Sequence, residues 1–113
     1  MFKIDKHNKI FLTKGDNAEL DIRIFNLEGK EVEITEDDVI VLTVRKTAAS
    51  QDASIQLTAN LNTIYIEPSD TSSLASGLYV YDVQYTNADG EISTIIPTSY
   101  FELLEEVSRW VYV

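Results

Sequence analysis

Cysteine is absent, which excludes a disulfide framework and any thiolate metal site. Histidine occurs once, as His7, in a charged N-terminal stretch where no neighbour orients it. Nucleophilic catalysis needs a Ser, Thr or Cys with a base in reach, so a lone imidazole is a poor start for it. The four glycines, Gly15, Gly29, Gly77 and Gly90, stand singly among turn residues, and no glycine-rich phosphate loop exists. No apolar run approaches the roughly 20 residues of a membrane span. The N-terminal MFKIDKHNKIF lacks the apolar stretch of a signal peptide. Basic residues are scarce: 9 Lys and Arg stand against 19 Asp and Glu, for a net charge of −10. A phosphate backbone or an anionic membrane would be repelled, so no nucleic acid and no membrane is expected as a partner. Lys3, Lys6, Lys9 and Lys14 cluster near the N-terminus and read as a solvated stretch.

Carboxylates are plentiful but poorly placed for chemistry. Glycoside hydrolysis needs two carboxyl groups facing each other across a cleft. Glu36-Asp37-Asp38 reads instead as a solvated turn, and Glu105-Glu106 as a pair of chain neighbours. No D-x-[DN]-x-[DN]-G loop offers a calcium site. The residues therefore predict no catalytic group, no cofactor and no metal, and the chain is not expected to be an enzyme.

What the chain does carry is strand periodicity. The run SGLYVYDVQYTNADGEISTIIPTSYF, Ser76 to Phe101, reads as two antiparallel strands joined by a turn at Asn87-Ala88-Asp89-Gly90. Alternate residues of a strand share a face, which places Tyr79, Tyr81, Val83 and Tyr85 together. Asp82, Gln84 and Thr86 fall on the other side. Lys9 to Thr13 reads as a first strand, followed by the turn Lys14-Gly15-Asp16. Ala18 to Phe25 alternates, with Leu20, Ile22 and Ile24 facing a core. Asn26 to Gly29 turns the chain into a return strand, Lys30 to Ile34. Val39 to Lys46 is apolar on both faces at first and is expected to be central and covered on both sides. Ser54 to Ala59, Thr63 to Glu67 and Tyr100 to Leu104 complete the strands. Pro68 to Ser76 predicts a single helical turn.

About seven to nine short strands, with no helical pattern of ten or more residues, predict an all-β fold. The expected architecture is an antiparallel, immunoglobulin-like β-sandwich forming one domain over residues 1–113. Its core is expected to hold Leu20, Ile22, Ile24, Leu42, Val44, Tyr79, Tyr81 and Val83. Gly77-Leu78-Tyr79-Val80-Tyr81 has the spacing of a tyrosine corner, in which the Tyr79 hydroxyl would tie back to the preceding bend.

The order KIFLTKGD, an alternating strand, LTVRK, IYIEPSDTSSL and GLYVYDVQYTNADGEISTIIPTSYFELLEEV resembles a family of small β-sandwich proteins. These are encoded in phages and prophages of Gram-positive bacteria. The chain is similar to the N-terminal domain of baseplate upper proteins, which sit at the phage tail tip. The resemblance implies a virion structural component, of tail or baseplate type, made in the host cytoplasm without a signal peptide. It implies no cofactor and a role in protein–protein assembly, with other virion proteins or copies of itself as partners and an oligomer as one outcome. A binding module for a cell-surface carbohydrate or protein is the alternative.

The candidate interaction residues lie at the end of the chain. Val107, Arg109, Val111 and Val113 would share one face of a strand, with Trp110 and Tyr112 on the other. A terminus is normally polar, and an exposed strand this apolar invites pairing. Residues 107–113 are therefore expected to join either this chain's own sheet or a neighbour's.

Overall fold

A computed structural model of the chain describes residues 1–105, and these form an all-β fold. Eight strands appear in it: β1 (Phe2–Ile4), β2 (Ile10–Thr13), β3 (Ala18–Asp21), β4 (Val39–Arg45), β5 (Ile55–Thr58), β6 (Thr63–Ile66), β7 (Gly77–Thr86) and β8 (Ile92–Leu104). One helical turn, α1 (Pro68–Thr71), interrupts them. Six strands make one sheet in the order β1-β2-β8-β7-β4-β5, and β3 pairs with β6 in a second. Inward side chains of both sheets meet in one core. Ile10, Leu12, Ile40, Leu42, Val44, Tyr81, Val83, Phe101 and Leu103 come from the larger sheet; Leu20, Ile64 and Ile66 come from the smaller. All eight residues expected in the core are buried.

Three expectations need correction. The large sheet is mixed, because β2 runs parallel to β8, Ile10 beside Phe101 and Thr13 beside Leu104. The other pairs are antiparallel. Nearly the whole chain separates β2 from β8, and a long crossover leaves strand direction free where a hairpin would dictate it. The expected strand Ala18 to Phe25 ends at Asp21, and Lys30 to Ile34 forms only the bridge Phe25–Glu31. Ile22 and Ile24 are buried nonetheless. The apolar alternation reports burial, while the backbone there makes only scattered bonds, such as Val32 N–H to the Ile24 carbonyl at 2.7 Å. Finally, β4 is central, but its second face is covered only in part: Thr43 there is buried and Val41 half-buried. Ile40, Leu42 and Val44 are fully buried, whereas Val39 is 42% exposed.

β1 has no counterpart in the expected strands. It exists because a turn recurs three times in this chain. At Asn87 the side-chain oxygen accepts N–H bonds from Asp89 and Glu91, both 3.0 Å, and Gly90 takes φ +84°. At Asn26 the same oxygen holds Glu28 and Lys30 at 2.9 and 3.0 Å, and Gly29 takes φ +83°. At Asp5 a carboxylate oxygen holds His7 and Lys9 at 2.8 and 3.0 Å, and Asn8 takes φ +65°. The physical requirement is an Asx side chain that mimics a turn backbone, then a residue that tolerates the left-handed region three positions on. Glycine meets the second need without strain, and asparagine meets it at modest cost. Asp5-Lys6-His7-Asn8-Lys9 is thus a hairpin turn within what reads by charge as a solvated stretch.

α1 is short but specified. Glu67 and Asp70 form a reciprocal capping box, and Pro68 opens the turn. Thr71, fully buried, accepts the Gly15 N–H at 3.0 Å and so fixes the bend after β2 to the helix.

Candidate interaction surface

The long hairpin of β7 and β8 organises the surface. Tyr81 lies at its centre, 2% exposed, edge-on to Phe101 with ring centroids 6.3 Å apart. Its hydroxyl donates to the Asn8 carbonyl, which locks the β1–β2 turn against β7. Burial, and secondarily the Asp5 carboxylate, push that hydroxyl up to about 12. Asp5 itself is held below the usual carboxylate range by the Lys9 and His7 N–H groups it accepts. Tyr79 donates to the Ala75 carbonyl at 2.7 Å, the tie of a tyrosine corner. At the far end Tyr85 donates to Asp38 at 3.1 Å, which anchors the turn Thr35 to Asp38. Asp38 is held low chiefly by the Thr35 N–H.

Two surfaces result. The first is a groove of about 580 Å3 on the outer side of the sheet. Tyr100, 55% exposed, forms part of its wall with Val80, Thr98 and Ser99 from the hairpin. The β1–β2 turn supplies Asp5, His7 and Lys9. Lys9 is engaged by Glu102 at 3.0 Å and lies 4.6 Å from the Phe11 ring centroid. Asp82, expected on the face away from the tyrosines, borders an adjoining depression with Thr43 and Arg45.

The second surface is the free side of β8. β2 pairs only with Phe101 to Leu104. Among the described residues, no strand flanks Ile92 to Tyr100 on the side away from β7. The register with β7 shifts twice along this stretch, around Ile95 and around Pro97-Thr98. Beside it opens a groove of about 350 Å3 of mixed character, lined by Ile4, Leu20, Ile22, Ile95 and Ile96 together with Asn8, Asp21 and Arg23. Ile92, at the tip, is 67% exposed.

The candidate residues Val107, Arg109, Trp110, Val111, Tyr112 and Val113 lie outside the described residues. The described chain approaches them at Leu104, whose carbonyl accepts the Lys14 N–H at 2.9 Å, and at Glu105, which accepts the Ser76 hydroxyl at 2.8 Å. Sequence reading did not single out Tyr100 or the stretch from Ile92 to Ile96. One signal was there: Ile92 to Phe101 carries no charge between Glu91 and Glu102, in a chain that is 25% charged.

Among the described residues, no group of three or more His, Cys, Asp or Glu is disposed to hold a metal ion. No family model matches the chain, and no curated protein matches it.

Proposed function

We propose that this chain is a structural component of a phage or prophage virion, of tail or baseplate type, which acts through protein–protein assembly. Its fold is read here as an immunoglobulin-like β-sandwich. The corner bond from Tyr79 to Ala75 and the core shared by both sheets support that reading. The observation that carries the function is the uncharged, open side of β8. Soluble β proteins guard such edges with Lys, Glu or a covering element, and among the described residues only Pro97 and two register shifts serve that end from Ile92 to Tyr100. An edge left this open suits a protein whose edge is covered in an assembly, by another virion protein or by a second copy. Proteomic analysis of purified particles from the host strain tests the reading. The chain is expected as a stoichiometric particle component, and its absence from intact particles overturns the proposal.

A second reading, a carbohydrate-binding module, has one observation in its favour. Tyr100 stands exposed in a groove beside Thr98, Ser99, Asp5 and His7, an aromatic platform next to hydrogen-bonding groups. Binding to host cell-wall glycans that is lost in Tyr100→Ala, with the melting temperature unchanged, would favour it.

A further inference from the structure

We infer that the Tyr100 groove continues across the outer face of the large sheet to Asp82 and Arg45 and binds two adjoining sugars of a neutral glycan, one stacked on the Tyr100 ring and the next holding its hydroxyl groups between Asp82 and Arg45. The inference rests on the carbohydrate-binding reading and gives it a second subsite. The groove of about 580 Å3 and the depression beside it share Ala48, Val80 and Thr98, so they are one continuous surface. The depression alone, about 60 Å3, is too small for a sugar but has room for the hydroxyl groups of one lying over it.

Asp82 and Arg45 carry the second subsite. Arg23 is paired with Glu31 and Lys9 with Glu102. The side chains of Arg45 and Asp82, both half-buried in the depression, have no partner among the described residues. Thr43 faces Asp82 and Arg45 faces Val80, so the acid and the base are diagonal neighbours on one sheet face. Such neighbours stand about 7–8 Å apart, a gap that two adjacent hydroxyl groups can bridge. The carboxylate accepts from one hydroxyl and the guanidinium donates to the other. Tyr100 pairs with Val80, two residues before Asp82 in β7. The two subsites are therefore offset by about 7 Å along the strand as well as across it, which suits successive sugars of one chain.

The floor favours a sugar over a peptide. From Val80 to Asp82, β7 is flanked by β4 on one side and by β8 on the other. Its backbone groups are committed to the sheet, so no strand can be added there. What the face presents is side-chain hydroxyl, carboxylate and guanidinium groups beside an aromatic ring. One acid and one base balance each other in the depression, and a net charge of −10 repels polyanions, so the glycan is a neutral one.

Backbone amide NMR of the full chain tests this with maltose, cellobiose and N,N′-diacetylchitobiose and the monosaccharides of each. At least one disaccharide is expected to shift the Arg45, Val80, Asp82 and Tyr100 amides, and to bind at least about tenfold more tightly than its monosaccharide. Tyr100→Ala should weaken it at least about tenfold, and Asp82→Ala and Arg45→Met at least about fivefold each, with spectral dispersion intact. Equal affinity for disaccharide and monosaccharide, with Tyr100→Ala defective and both depression variants unchanged, would overturn the second subsite and leave the carbohydrate reading standing. No shift with any sugar would overturn both, as would shifts with a pool of short peptides alone.

Discussion

In β8, Phe101 to Leu104 has β7 on one side and β2 on the other, whereas Ile92 to Tyr100 has β7 alone among the described residues. Both halves carry large apolar and aromatic residues: Ile and Tyr with Ser, Thr and Pro97 in the first, Phe and Leu with Glu102 in the second. Yet Phe101 and Leu103 are 0% and 1% exposed, while Ile92 is 67% exposed. Strand propensity is therefore not what separates them. The difference is where β2 begins: at Ile10, beside Phe101, because the Asp5 turn sets it there. A local turn near the N-terminus thus decides which part of a strand near the C-terminus stays open.

That contrast can be broken by substitution. The largest effect is expected at Phe101→Ala, a loss of about 3–5 kcal/mol in chemical denaturation, as for other buried aromatics. Ile92→Ala in the other half should cost under about 0.5 kcal/mol. Equal losses would mean that the first half is packed as firmly as the second.

Gly90→Ala comes next. A methyl group there meets no atom within 4 Å, so any loss comes from φ +84° alone. It should amount to about 1–2 kcal/mol in the same denaturation experiment. A negligible loss would show that the hairpin tip carries no left-handed requirement.

Tyr81→Phe removes the bond to Asn8 and should cost about 1 kcal/mol near neutral pH. Its pH dependence sharpens the comparison. The Tyr81 hydroxyl titrates at about 12 in the folded chain, against 10.0 ordinarily. A raised folded value means the contribution is complete below pH 10 and is lost as pH rises toward 12. Melts of both proteins across that window should converge; a constant gap would show that the hydroxyl is not held neutral by the fold.

The smallest effect is expected at Thr94→Lys, within about 0.5 kcal/mol of wild type by thermal unfolding under monomeric conditions. A loss beyond about 1 kcal/mol would mean that this edge is already covered within one copy.

Much of the fold was legible in the residues. Tyr79, Tyr81 and Val83 alternate, and alternation means a shared face whatever the partner strand. The turns at Asn26 and Asn87 announce themselves through glycine. Asp5 to Asn8 carries the same mechanism with asparagine in glycine's place, and the surrounding lysines masked it. The site was less legible. The neutrality of Ile92 to Phe101 is written in the sequence, but its exposure is not. Residues 107–113, where the apolar pattern pointed most directly, lie outside the described residues.

By itself, then, the sequence determined the all-β class, the core faces and the hairpin turns, because these depend on side-chain period and local hydrogen bonding. The parallel pairing of β2 with β8, the halt of β3 at Asp21 and, among the described residues, the edge left open beside Ile95 were decided only by tertiary structure. Each depends on which strand arrives next to which across a long stretch of chain, and no local propensity encodes that meeting.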